Sequence, residues 1–489
     1  MTEDSPSIVE DKANLNVAGL VAGIAAFLAI LFWFQPDDLS RQAEIVAALG
    51  VLMAIWWATD AIPLPVTALV PIVAFPLAGV ATIENSAAPY ANPIIFLFLG
   101  GFLIALAVER SELHRRIALL IFRALGKSGK GLVAGFMLAA ALLSMWISNT
   151  STTLMLFPIA VSLALVVGET SPDLSAKERH DFQISLLLGL AYGASIGGVA
   201  TLVGTPTNAF MVGFLQSEYA IEIPFARWMM IGIPVSMILL PLGWYLLTRF
   251  LYPVTFASSP ETKDELARRY AALGKMSSAE IRTAFLFGAL VIGWVLRKPI
   301  AGALGIEGLS DAGVAMAAAL LAFVIPSGTD RHALVTWTDT KRLPWGVLIL
   351  FGGGLSLAAA LSSSGLTLWL GQQLAPLGAI NAILLVVVLT GLVIFLTELT
   401  SNVATTATLL PVVAALAIEL GMDPLMLVVP LTIAASCAFM LPVATPPNAI
   451  VFSTGEIKIS EMMRAGFWLN LVAIMLIASI AVYLVPFIL

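Results

Sequence analysis

Of 489 residues, 60% are hydrophobic and 11% charged, with a formal net charge of −6. A soluble domain carries about 25% charged residues, so this balance excludes a soluble globular fold, and the lack of an extended basic face excludes a nucleic-acid binder. The single cysteine, Cys437, excludes an intrachain disulfide and a cysteine-built metal site.

The first 15 residues, beginning MTEDSPSIVEDK, are acidic and polar. No basic start leads into an apolar core, so they read as a short cytoplasmic tail rather than a cleavable signal. Apolar runs follow at 16–34, 43–59 and 64–80, and later at 183–203, 229–251, 283–296, 312–325, 425–443 and 466–488. Runs of roughly 20 residues are membrane-span candidates, which makes the chain an all-α polytopic membrane protein of about ten to twelve spans. Asp60, in WATDAIPLP, reads as the end of a span with a loop or capping role. Residues 97–107 are LFLGGFLIALA, followed at 110–130 by Arg110, Arg115, Arg116, Arg123, Lys127 and Lys130. Such a cluster marks a cytoplasmic segment. An apolar stretch at about 131–168 carries the polar island ISNTSTT (147–153), and a broken helix at about 183–217 carries GTPTNA (204–209). The charged stretch 257–282 reads as a cytoplasmic helical linker separating a first half, 16–256, from a second, 283–489. The three histidines, His114, His180 and His332, lie in charged stretches and read as solvated loop residues.

The second half repeats the first. LFGGGLSLAAA (350–360) follows LFLGGFLIALA at an offset of 253 residues, from Leu97 to Leu350. The same offset carries Ser148 to Ser401, Asn149 to Asn402, Thr152 to Thr405, Thr153 to Thr406 and Pro158 to Pro411. ATPPNA (444–449) repeats GTPTNA at an offset of 240, from Gly204 to Ala444, within a second pair of segments at about 384–420 and 425–454. The counterpart of the basic segment, 363–383, contains no Lys or Arg. The same piece therefore lies on opposite sides of the membrane in the two halves, the mark of an inverted-topology repeat and of secondary transporters. The paired glycines Gly100/Gly101 and Gly353/Gly354 read as close helix packing.

Each island looks like a helix start, because Ser, Asn and Thr are preferred N-caps. Pro206, Pro446 and Pro447 break the two later helices by removing backbone donors. Broken backbone at membrane depth is tolerated only against protein or a watery cavity. Four helix starts around one site favour an anion, while hydroxyl, amide and carbonyl oxygens favour a hard cation such as sodium. The islands hold no Lys or Arg, so bound sodium supplies the charge compensation. Glu398, three residues before Ser401, reads as support for that site rather than a proton carrier. No His or Lys lies in the islands to activate a serine, so the chain does not read as an enzyme, and no organic cofactor is expected.

The stretches MWISNTSTT, SIGGVATLVGTPTNA, TELTSNVATTATLLPV and CAFMLPVATPPNAIVFSTG resemble the divalent anion/sodium symporters, a family of dicarboxylate, citrate and sulfate carriers, over about residues 40–489. The resemblance implies eleven spans, two re-entrant hairpins tipped by the islands, two broken helices, and a homodimer in the inner membrane with an elevator-like transport domain. It implies one sodium site at Ser144, Ser148, Asn149 and Gly204, and a second at Thr397, Thr400, Asn402 and Ala444, with Gly204, Thr400 and Ala444 contributing carbonyls. Substrate carboxylates would meet Asn149 and Thr150 on one side and Ser401 and Asn402 on the other, with Thr205, Thr445 and Pro446 closing the site. The second motif departs from the expected Ser-Asn-Thr at Val403. The expected function is sodium-coupled import of a small divalent anion, a C4-dicarboxylate such as succinate, with sodium-independent exchange or sulfate transport as alternatives.

Overall fold

The structure is a computed structural model, described for residues 16–171, 174–328, 332–376 and 380–489. The polar tail at 1–15 lies outside the described residues. No strand occurs among the described residues, and eight helical stretches are long and apolar enough to cross a bilayer.

In the first half, α1 (Val17–Trp33) and α2 (Arg41–Thr59) pair side by side, and Asn16 at the start of α1 donates to Thr59 O at 2.8 Å. The predicted single span at 64–80 is two short helices, α3 (Leu64–Thr67) and α4 (Val70–Leu77). Pro71 has no N–H to give Thr67, so the ladder breaks there. After α5 (Ile83–Ala87) come α6 (Pro93–Arg110), the amphipathic α7 (Leu113–Leu125), α8 (Gly129–Ser144) and α9 (Asn149–Thr170). The half closes with α10 (Ala176–Gly198), α11 (Pro206–Tyr219) and α12 (Phe225–Tyr245). The linker helix α13 (Pro260–Ala272) packs on α7 and α9. His114 differs from its expectation: it is only 5% exposed, with Nδ1 3.2 Å from Val108 O, because α7 turns its apolar face and this ring inward. His180 is paired with Glu461 at 2.9 Å, and His332 is exposed.

The second half runs through α14 (Ser278–Val295), α15 (Arg297–Leu304), α16 (Asp311–Val324), α17 (Trp345–Ser363), α18 (Leu366–Leu374), α19 (Ala382–Thr397) and α20 (Asn402–Glu419). It ends with α21 (Leu425–Ala435), α22 (Pro446–Phe452), α23 (Ile459–Tyr483) and α24 (Val485–Ile488). The 253-residue offset carries both ends of α8 onto the ends of α19 and the first residue of α9 onto that of α20.

The two halves are inverted about an axis near α6 and α17. Phe98 and Phe351, repeat equivalents, meet edge to face with centroids 5.2 Å apart. The C-terminal end of α6 pairs with the stretch leading into α17, through Arg110–Asp339 at 2.9 Å and Arg342–Glu109 at 2.7 Å. Equivalent helices therefore run in opposite directions, as the arginine asymmetry requires.

Glycine contacts repeat as well. A Cβ on Gly100 would lie 2.6 Å from the carbonyl carbon of Ala315, and one on Gly353 would lie 2.7 Å from Ala68 Cα. These glycines set how closely α6 approaches α16 and α17 approaches α3. Gly353→Ala is therefore expected to lose about 2–3 kcal/mol through overpacking, seen as a lower apparent Tm of the purified protein. Gly288→Ala, where nothing lies within 4 Å of the added carbon, serves as the matched substitution with no such loss.

Candidate functional site

A cavity of about 850 Å3 lies where the two halves meet. Its walls include Ser148 to Ser151, Gly204 to Pro206, Leu399 to Val403 and Val443 to Pro447, with Trp57, Phe102 and Val347 behind them. α9, α11, α20 and α22 all begin on this cavity, at Asn149, Pro206, Asn402 and Pro446. Each start carries unpaired N–H groups and a partial charge of about +0.5. The cavity thus has positive potential without a basic side chain on either island.

Local sequence explains each start. Ser148 is the N-cap of α9, its Oγ accepting from Ser151 N at 3.1 Å. Ser401 occupies the same place before α20 but makes no side-chain cap bond. Thr153 donates to Asn149 O and Thr406 to Asn402 O, each at 2.8 Å, so the first turns of both helices are braced alike. Thr205 and Thr445 are buried N-caps, and prolines at the next positions cost no hydrogen bond there.

Two oxygen clusters flank the cavity. In the first, one amide atom of Asn149 lies 3.3 Å from Gly204 O, 3.2 Å from Ala194 O and beside the fully buried Ser144 hydroxyl. As nitrogen it donates to these oxygens; as oxygen it accepts from the Ser144 hydroxyl and, with the two carbonyls, makes a set of hard oxygen donors. Gly198 leaves room for this, since a Cβ there would lie 2.6 Å from Asn149 Oδ1. In the second cluster Thr397 Oγ1 lies 2.8 Å from Asn402 Oδ1 and 3.1 Å from Ala435 O. The Thr400 hydroxyl is used locally, at 3.0 Å from Leu396 O and 2.6 Å from Thr405 Oγ1, which leaves its carbonyl as the available ligand. Ala444 ends a short 3-10 turn, Pro442–Ala444, next to Thr445. Of the residues predicted for the sodium and substrate sites, all but Ser144 and Thr397 line this cavity, and these two contact Asn149 and Asn402 from behind it. Asp60 sits at its rim as the left-handed C-cap of α2, and the paired glycines pack helices rather than line it.

A family model described as the sodium:sulfate symporter transmembrane region matches residues 14–488. The chain belongs to this family. The chain is 40% identical to the sodium-dependent dicarboxylate transporter SdcS of Staphylococcus saprophyticus over 96% of its length and 92% of the relative. It is likewise 40% identical to SdcS of Staphylococcus aureus, strain USA300, over 97% of this chain and 92% of that one. Its fold is that of the YdaH transporter of Alcanivorax borkumensis, at a TM-score of 0.56 and 16% identity over 91% of this chain and 99% of that chain. MtrF of Neisseria gonorrhoeae matches with a TM-score of 0.58 and 16% identity over 92% and 97% of the two chains. The chain is thus a membrane transporter and not an enzyme.

Three features of the site rest on partners that the sequence does not show. Asn208 Nδ2 donates to Val199 O at 3.1 Å and Thr201 O at 2.8 Å; Asn448 Nδ2 donates to Ala438 O at 3.1 Å and Leu441 O at 3.0 Å. Each clamps the carbonyls freed by its own broken helix, and the Asn shared by GTPTNA and ATPPNA was the available signal. Glu398 is 3% exposed and accepts from Phe439 N at 2.7 Å, Met440 N at 2.9 Å, Leu441 N at 3.0 Å and Asn470 Nδ2 at 2.8 Å. It holds the N–H groups of the second break, which is the supporting role expected of it, through partners that its sequence neighbours do not indicate. Arg342 reaches the rim of the cavity from the stretch before α17.

Proposed function

We propose that this chain is a sodium-coupled importer of a small dicarboxylate such as succinate, carried across the inner membrane. The observation that carries the reading is the pair of repeat-related oxygen clusters, around Asn149 and Asn402, flanking one cavity on which four helices begin. The similarity to the sodium-dependent dicarboxylate transporters SdcS supports it.

The clusters hold two or more sodium ions: one with Ser144, Ser148, Asn149 and Gly204, the other with Thr397, Thr400, Asn402 and Ala444. One substrate carboxylate meets Asn149 and Thr150, the other Ser401 and Asn402, with Thr205, Thr445 and Pro446 at the sides. An isolated dianion in a low-dielectric site is costly, so the anion binds well only while the cations are present. That linkage is the coupling.

The end bearing Arg110, Arg115, Arg116, Arg123, Lys127 and Lys130 faces the cytoplasm by the positive-inside rule, and so does the N-terminus. The cavity rim at Asp60 and Arg342 lies at this end, so the conformation is inward-facing. The helix pairs α8–α9 and α19–α20, with the broken helices between α10 and α11 and between α21 and α22, move as one elevator-like unit. The remaining helices form a fixed frame through which two copies associate as a homodimer.

Thermal stability of the purified protein tests the binding reading, because ligand that binds only the folded state raises its apparent Tm. Succinate is expected to stabilise with sodium present and not with choline. Stabilisation by sulfate alone, or by succinate without sodium, would contradict it. Val403 replaces the hydroxyl that Thr150 supplies in the other repeat, and a hydrogen bond to a charged group contributes about 1.5–3 kcal/mol. Val403→Thr is therefore expected to lower the KM for succinate about tenfold or more. An unchanged KM would mean that position 403 does not face the substrate.

A further inference from the structure

Among the residues lining the cavity, Arg342 is the one cation and Asp60 the one carboxylate. The Arg342 side chain is 61% exposed. Its Nη2 donates to Glu109 Oε2 at 2.7 Å, and among the described residues Nε and Nη1 make no hydrogen bond. The guanidinium is thus held end-on by one oxygen, with Nε and Nη1 left without a partner among the described residues, on a side chain that lines the cavity. Glu109 closes the last turn of α6 beside the Ser151 hydroxyl of the first island. A second pair, Arg110–Asp339 at 2.9 Å, fixes the same junction, and Asp339 also accepts from Thr336 N at 2.7 Å.

We propose that Arg342 is an anion-binding station at the mouth of the cavity, which takes one carboxylate of the dianion as it passes between the islands and the cytoplasm. The proposal rests on the reading of the cargo as a dicarboxylate and of the basic end as cytoplasmic. The islands bind the anion with neutral donors, so once the cations leave, nothing on them retains it. The mouth it must cross carries Asp60 and Glu109. Without Arg342 the cavity lining would keep Asp60 as its one charge and would repel a dianion; with it, the charges of the lining balance and the passage holds a partly free planar fork. A guanidinium accepts a carboxylate through two parallel N–H bonds, whereas an ammonium acts as a point charge. Glu109 competes with the substrate for that fork. It keeps the station weak enough to release what it receives, as any intermediate site on a transport path must.

The test compares succinate KM at the two membrane faces, using inverted and right-side-out vesicles that contain the full-length protein. Arg342→Gln is expected to raise the ratio of inner-face to outer-face KM about five-fold, the size of one partly screened charge interaction. It is also expected to flatten the dependence of the inner-face KM on ionic strength. Arg342→Lys should restore part of that ratio, and Glu109→Gln should shift it the opposite way, about two-fold, by freeing the guanidinium. An unchanged ratio in both Arg342→Gln and Glu109→Gln would overturn the proposal, as would equal KM rises at the two faces. Glu109→Gln keeps the test open should Arg342→Gln fail to fold. Wild-type vesicles that take up no succinate at all would instead overturn the functional reading on which the proposal rests.

Discussion

Alanine in place of Asn149 is expected to reduce sodium-driven uptake at least about 100-fold while leaving a folded protein. The side chain is assigned to a sodium ion and to a substrate carboxylate, and each lost contact to a charged group removes about 1.5–3 kcal/mol. Two such losses multiply, because the ion and the anion each need the other. The start of α9 has little reason to respond: its N-cap bond comes from Ser148 Oγ, and the brace from Thr153 goes to the backbone carbonyl of Asn149, which alanine retains. A monodisperse, thermally stable Asn149→Ala protein with near-normal uptake would refute the placement of the first sodium site.

Glu398→Gln is expected to damage the protein differently, by lowering its stability about 2–4 kcal/mol and weakening sodium dependence with it. The carboxylate accepts from three consecutive backbone N–H groups and from Asn470. A carboxamide has only one acceptor oxygen, and its NH2 would point at donors. Buried donors left unpaired are costly, and more so where the lost partner was charged. The affected backbone, Phe439 to Leu441, leads into the Pro442–Ala444 turn, whose last residue is proposed as a ligand of the second sodium site. The sodium concentration for half-maximal uptake should therefore rise together with the fall in apparent Tm. An unaltered Tm and an unaltered sodium dependence would mean that this network does not organise the second break.

Both expectations bear on what the sequence made legible. The two islands and two proline breaks were visible because helix starts are written locally, in capping residues and missing backbone donors. A duplicated chain writes them twice. The inversion was visible because lysine and arginine are sorted by side of the membrane, so the basic stretch 110–130 and its uncharged counterpart stood out. Tertiary partners were not visible in this way. The donors to Glu398 come from Phe439 to Leu441 and from Asn470, and no local pattern ties them to it. His114 precedes two arginines in sequence, yet the amphipathic turn of α7 buries it. Arg342 reaches the cavity mouth only because α6 and α17 run antiparallel at the axis between the repeats. The split of the predicted span at 64–80 was written in Pro71, but hydropathy outweighed it.

The asymmetry between the repeats also takes on physical content. The first break is lined by Gly198 and Gly204 where the second has Ala438 and Ala444, and the first island has Thr150 where the second has Val403. The second break is held by a buried carboxylate; the equivalent position in the first half is Met145. Two copies of one element have therefore diverged in how they are supported, while keeping the asparagine on which each oxygen cluster is built.

The central claim is that the anion and sodium occupy one site and move together. The measurement that tests it most directly is uptake of labelled succinate into proteoliposomes under an inward sodium gradient. Accumulation above equilibrium that collapses when sodium is replaced by choline at constant ionic strength is the result expected. Succinate uptake at the same rate and extent with and without the sodium gradient would contradict it.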